Sequence, residues 1–419
     1  MPNEKTQPSE TAIVVGGGIV GMCCGLNLQR RGINTLVIDP VSVRRAASWG
    51  NAGHIAVEQV EPLASPAAVR SFPRRLFWRG GALALPLRGI AAWLPFSLRL
   101  LAASRPSRYS KGKTALRPIL AESLPAWRRL TEGIGARELL LEEGHFIVWE
   151  TPATAAAGRA AWAAAETGTA AFRDATAEEL ARIAAQTKAP IAGGIRFLGT
   201  GQVADLGALA ESVDAGFAAL GGRQLWAAVR RIHVSDGRAS VALDNGESLE
   251  ADLVVVAAGV DSARLLAPLG ERAPIVAERG YHIQSAESDW PLDLAPVVFE
   301  DRSMIVTRFR SGLRAASFVE FGHAASPPDP RKWARLRSHV AALGLSFNGG
   351  GKEWMGVRPT LPDYLPAIGR SRRAANLLYA FGHQHLGLTL GPITGEAIGA
   401  LAAGEAPPVD LSPFDIQRF

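Results

Sequence analysis

Cysteine is almost missing from this 419-residue chain: the only two, Cys23 and Cys24, are neighbours inside a helical pattern. Side chains one residue apart leave a helix in different directions, so two reduced, buried thiols are expected rather than a disulfide. Neither cysteine has a partner at metal-binding spacing, and the eight histidines contain no His-Glu-x-x-His run, so no metal site is expected. The first ten residues are polar and lack the apolar stretch of a secretory leader. No internal repeat is present, and low complexity is confined to an alanine-rich stretch, 153–187, that reads as a solvent-facing helix. With 47% hydrophobic and 20% charged residues, the balance is that of a globular protein. Cytoplasmic residence fits these features.

Acidic residues are absent from one stretch altogether. Residues 62–121 carry eleven Lys/Arg and no Asp or Glu, against a net charge of +6 for the whole chain, so the remainder is slightly acidic. Leu76-Phe77-Trp78, Leu83-Ala84-Leu85 and Trp93-Leu94 interleave with these charges. Pro86, Arg88, Pro95 and Arg99 interrupt the apolar runs, leaving no spanning helix of about 20 residues. Basic amphipathic helices can lie on an anionic membrane surface. A helical subdomain with solvated arginines is the plainer alternative. No nucleic-acid-binding motif accompanies the charge, so nucleic acid is not an expected partner.

The length exceeds what a single core usually supports, so two domains are expected. Ala12-Ile13-Val14-Val15 reads as a strand, 19–31 as a helix stopped by Gly32, and Thr35-Leu36-Val37-Ile38 as a second buried strand. Residues 62–130 are helical and punctuated by prolines; 205–220 form a further helix. A meander follows, with strand 225–233, turn Asp236-Gly237, strand 240–243, turn Asn245-Gly246, and a buried strand in 251–259. Residues 273–322 alternate as strands of a second sheet. The pattern closes with a strand at 377–381, a glycine-rich loop and a helix over 393–403.

Gly16-x-Gly18-x-x-Gly21 stands between the first strand and the first helix, and Asp39 ends the second strand. In that setting the first glycine makes a tight turn, the second admits a pyrophosphate to the backbone, and the third lets helix and strand pack closely. A terminal carboxylate accepts ribose hydroxyls, and an acid there argues against a 2′-phosphate. The pattern predicts dinucleotide binding and leaves NAD and FAD both open.

Four motifs extend the reading: the glycine loop; Ser48-Trp49-Gly50-Asn51-Ala52-Gly53-His54; Val255-Val256-Ala257-Ala258-Gly259; and the pair Gly356-Val357-Arg358-Pro359 with Gly382-His383-Gln384-His385-Leu386-Gly387. Through them the chain resembles, nearly end to end, the D-amino-acid oxidase superfamily of flavoproteins, closest to its bacterial D-amino-acid dehydrogenase branch. The resemblance implies an α/β fold. A discontinuous Rossmann-type FAD-binding domain (11–61, 195–272, 359–419) would join a mixed-sheet substrate domain (62–194, 273–358) carrying the basic helical insertion. It further implies that Gly16, Gly18, Gly21 and Asp39 hold FAD, that Ser48, Asn51, Ala52 and Gly53 pass beneath the flavin, and that Val229 meets the adenine through its backbone. Ala257, Ala258 and Gly259 would line the cofactor's inner edge. Gly382, His383, His385, Leu386, Gly387, Leu388 and Thr389 would belong to a loop offering N–H donors to the flavin.

By the same resemblance Arg358 clamps a substrate carboxylate, a task suited to a planar guanidinium. His54 either faces the substrate or packs as a loop histidine, Tyr281 is either a pocket lid or a core tyrosine, and Trp354 is pocket wall or core. The implied reaction is oxidation of a D-amino acid, with D-proline or hydroxy-D-proline the leaning. Hydride would pass from the α-carbon to FAD, and electrons onward to a respiratory acceptor such as quinone at the inner face of the cell membrane. A dioxygen-using oxidase of the glycine or sarcosine type, and an FAD-binding subunit needing a partner chain, are the alternatives.

Overall fold

The computed structural model describes residues 10–41, 46–347 and 351–419; the polar opening residues 1–9 lie outside them. The β-branched strand Thr11–Val15 sits inside a six-stranded sheet, between the parallel strands Asn34–Asp39 and Leu253–Val256. Arg223–Trp226 extends one side, and Leu377–Phe381 with the antiparallel Ala367–Arg370 extends the other. Leu253–Val256 is buried at every residue, as a parallel strand covered on both faces must be. The meander Val229–Ser235, Arg238–Leu243 and Ser248–Glu250 packs against one face.

Helices Ile19–Arg30 and Gly387–Ala402 cover the other face and touch along a seam of small residues. A Cβ added to Gly391 would meet Ile19, one on Gly399 would meet Asn27 and Arg31, and one on Gly395 would lie 2.5 Å from the Cys23 backbone oxygen. Because the contacts advance in the same direction along both helices, the helices run parallel, with their N-termini at the same end. Cys23 and Cys24 are free and buried in this layer, and burial pushes both thiols up.

A second, nine-stranded sheet runs in the order Lys352–Thr360, Val276–Ser285, Gly312–Gly322, Met304–Phe309, Val297–Phe299, His145–Trp149, Gly193–Leu198 and Ala171–Asp174, and the short strand Leu83–Ala84 pairs with Gly312–Gly322. The basic stretch supplies helices Pro66–Arg75, Ile90–Ala103 and Pro106–Ala121. Lys332, buried on helix Pro330–Leu343, tethers this insertion by lying 3.4 Å above the Phe77 ring while its ammonium bonds Asp329.

Four expectations need correction. The alanine-rich stretch is two helices, Pro152–Ala164 and Ala177–Ala184, split by strand Ala171–Asp174, whose Phe172 packs on Phe197. Residues 225–233 are parts of two strands, because the chain leaves the first sheet after Trp226 and starts the meander at Val229. The closing helix begins at Gly387, six residues early. Pro392 has no N–H for the Leu388 carbonyl, and the Trp127 indole donates to it instead at 3.1 Å. The domain divisions expected at 195 and 358 fall inside strands Gly193–Leu198 and Lys352–Thr360, which both pair in the second sheet.

Gly to Ala inside a helix ordinarily stabilises by about 1 kcal/mol. Gly395→Ala should do the reverse, destabilising by about 1–3 kcal/mol as the new methyl drives the two helices apart. Thermal unfolding of the purified holoprotein measures this as a lower Tm.

Candidate active site

A cavity of about 1480 Å³ is lined by Gly16, Asp39 and Val229 of the first sheet's surroundings and by Glu278 and Arg358 of the second sheet. Its nucleotide side is built from close backbone approaches. Gly16 turns with φ +113°, and a Cβ on Gly21 would sit 1.9 Å from the Gly16 oxygen, so only glycine lets the helix start this near the strand. At the helix N-cap, Gly18 has no side chain, and a Cβ there would meet nothing closer than 3.6 Å. The Ser48 hydroxyl reaches the helix start from another segment, accepting from the Ile19 N–H at 3.3 Å. Asp39 accepts from the Gly17 N–H at 2.7 Å and from the Val41 N–H at 3.2 Å, which locks its carboxylate at the strand end.

The segment after Ser48 is a turn. Asn51 Oδ1 accepts from the Gly53 N–H at 2.8 Å, Gly53 has φ +78°, and the Asn51 carbonyl takes a bond from Arg314. Trp354 lies flat over Gly50 and stacks on His282 at 4.9 Å, so it is a wall joining the two domains. Val229 opens the meander, and its carbonyl accepts from Arg264 at 3.3 Å. Ala258 and Gly259 follow strand Leu253–Val256 into the cavity wall. Gly382 to Leu386 form a tight turn, and Gly387, Leu388 and Thr389 are the first turn of the parallel helix. Two helix N-termini, each with the positive end of its dipole, therefore converge on the cavity. These features fit a dinucleotide: a helix N-cap that carries no side chain, a cradle that a side chain at Gly18 would fill, and a carboxylate at the strand end.

The other side is polar and tightly wired. Arg358 Nη1 donates to buried Glu278 Oε1 at 3.1 Å, and the second Glu278 oxygen accepts from Thr360 and Tyr364 at 3.0 and 3.1 Å. The Thr360 backbone bridges to His383 and so joins the arginine strand to the C-terminal turn. His54 Nε2 lies 3.0 Å from Glu58 Oε1, and His385 Nε2 bonds Gln59. Burial holds His385 down at about 4 and His383 at about 3; the His383 ring turns away onto Thr394 at 3.0 Å. Tyr281 is a core tyrosine and not a lid. Its hydroxyl donates to Glu320 at 3.2 Å and its ring meets Trp333 on the face away from Arg358.

Sequence reasoning missed Glu58, Gln59, Glu278 and His145. The spacing His54-x-x-x-Glu58 and the acid inside the otherwise buried Val276–Ser285 strand were the available signals. No metal ligand set was expected, yet His54, Glu58 and His145 place ligand-type atoms within 4.8 Å of one another. The His54–Glu58 hydrogen bond occupies a nitrogen and an oxygen that a cation would need.

A D-amino-acid oxidase of Bradyrhizobium diazoefficiens is 29% identical over 97% of this chain and 98% of its own. A D-amino acid dehydrogenase of Cereibacter sphaeroides is 28% identical over 97% of this chain and 95% of its own. Glycine oxidase from Geobacillus kaustophilus superposes with a TM-score of 0.74 at 19% identity, over 98% of this chain and all of its own, and so shares the fold. The family described as FAD dependent oxidoreductase matches residues 11–401, and the chain belongs to it.

Proposed function

We propose that the protein oxidises a D-amino acid at its α-carbon, with the substrate carboxylate on Arg358. The observation that carries this reading is the Arg358–Glu278 pair. A buried carboxylate, itself held by Thr360 and Tyr364, fixes a guanidinium that lines the cavity. A fixed guanidinium binds a carboxylate by paired hydrogen bonds and sets the α-hydrogen's direction, which is where positioning contributes to rate. FAD, when bound, supplies acceptance of a hydrogen and its electron pair. Gly16, Gly18, Gly21 and Asp39 would hold its nucleotide part, with Val229, Ala258 and Gly259 beside it. Ser48, Asn51, Ala52 and Gly53 would face the ring, together with the helix start at Gly387, Leu388 and Thr389. The relatives named for D-amino acids support the substrate class, and the leaning toward D-proline or hydroxy-D-proline is part of the proposal. The oxidised product is an imine, which water converts to a 2-oxo acid and, from a cyclic substrate, leaves as a pyrroline.

The acceptor half of the proposal rests on the insertion. Ile90, Leu94, Leu98 and Leu101 expose one stripe of their helix, and Leu87 and Trp78 beside it are 82% and 71% exposed. Arg70, Arg74, Arg79, Arg88 and Arg99 are exposed around it. An apolar stripe rimmed by cations suits an anionic membrane surface. Among the described residues no helix is long and apolar enough to cross a membrane. Val69, Phe72, Trp93 and Leu100 of the same helices line the cavity, so a quinone at the surface would lie beside the site.

Arg358→Ala should retain FAD and lose about 2–5 kcal/mol of transition-state binding in kcat/KM, raising KM and lowering kcat. Steady-state kinetics against a panel of D- and L-amino acids measures it. Parent-like turnover by the variant would place the carboxylate elsewhere.

Co-sedimentation with vesicles tests the acceptor half. Binding should appear on anionic vesicles at low salt and fade at high salt, since each basic residue contributes about 1 kcal/mol near such a surface. Protein left in the supernatant, with hydrogen peroxide formed in step with substrate oxidation in air, would assign dioxygen as acceptor.

A further inference from the structure

Glu58 is a buried carboxylate with few partners. One oxygen contacts His54; the other has no hydrogen-bond partner among the described residues, and neither has His54 Nδ1. Burial favours the neutral acid, and the hydrogen bond with His54 opposes it and holds the carboxyl down. A buried negative charge of this kind needs a cation beside it.

The groups packed around His54 narrow what that cation is. His145, edge-on to His54 at 4.4 Å, stacks on Phe197 and bonds Thr200, and burial together with His54 keeps it neutral, near 3. His385 is held by Gln59, an uncharged amide, and lies within electrostatic reach of Glu278 and Arg358 on one side and of Glu58 and His54 on the other. Glu58 and Gln59, successive residues of one turn, thus each hold a histidine, but only Glu58 brings charge. Arg358 and Glu278 balance each other. An amino acid arriving as a zwitterion offers its carboxylate to Arg358, and its ammonium finds the unanswered charge of Glu58.

We propose that His54, backed by Glu58, accepts the proton from the substrate's ammonium group. This rests on the reading that the cavity oxidises an amino acid. One N–H bond of the ammonium breaks, the proton joins the His54 imidazole, and the imidazolium stands charge-balanced against Glu58. The nitrogen keeps the electron pair that the later departure of the α-hydrogen with its electrons requires. The proton leaves to water after product release. Glu58 is a positioning residue in this scheme.

Glu58→Gln and His54→Asn test it in the holoenzyme. At neutral pH both should lose roughly 10²-fold in kcat/KM. Both should recover as the pH nears the ammonium pKa of the substrate, where the amine arrives already neutral. Glu58→Asp, which keeps the charge, should restore most of the neutral-pH rate. A readout without turnover uses 2-aminoisobutyrate, which has no α-hydrogen. It should bind both variants several-fold more weakly than the parent in a flavin absorbance titration, while isobutyrate, which has no amine, binds all three alike. A loss by one factor at every pH, or equal weakening toward both ligands, would overturn the proposal. A parent whose flavin no amino acid reduces would instead overturn the underlying reading of substrate.

Discussion

The seam between the first helix and the C-terminal helix is the constraint on which the rest of the site depends. Gly391, Gly395 and Gly399 recur at one-turn spacing and let the two backbones approach, with Ile19, Cys23, Asn27 and Arg31 of the first helix facing them. At that distance the helices share one direction and one end, and both starts reach the cavity. A helix start carries about half a positive charge. Set side by side, the two starts give an anionic dinucleotide a preorganised partner. Larger residues at these positions would separate the helices and also tilt one dipole out of the site.

The nucleotide-binding unit was legible because its signals are local. A β-branched run, three glycines and a terminal acid lie within thirty residues of chain, and their spacing alone specifies strand, turn, helix and strand. The polar wiring was not, because each of its bonds joins distant segments. Glu278 reads as a stray charge in a strand until Arg358, Thr360 and Tyr364 close around it. The helix start at Gly387 was hidden by Pro392, since the indole that answers the freed carbonyl comes from Trp127, 261 residues away. Tyr281 was left open between lid and core, and strand geometry favours the core. Alternate residues of its strand face opposite sides, and it shares the side of Arg279, whose guanidinium pairs with Glu320 in the core.

That core pairing also explains why the basic insertion behaves as part of the molecule. Buried Arg279, Glu320 and Lys332, with half-buried Asp329, form a chain of opposite charges, and Lys332 ends it against the Phe77 ring. The insertion is therefore anchored at its root by a cation held in place from the second sheet. Leu83–Ala84 adds a strand pairing at the same root. Only the outer stripe of the helices is left without a protein partner among the described residues, and this is where the exposed leucines and arginines gather.

The hydrogen bond from the Ala56 N–H to Thr389 Oγ1, at 2.9 Å, ties together positions 333 residues apart. Neither the turn that follows the Asn-Ala-Gly motif nor the first helix has its final neighbour until the distant segment arrives. Contacts of such long sequence separation form late and slowly. During synthesis on the ribosome the glycine loop emerges early but waits, its cradle open on one side, while the chain between is made. The cavity is therefore complete only once the last helix has arrived.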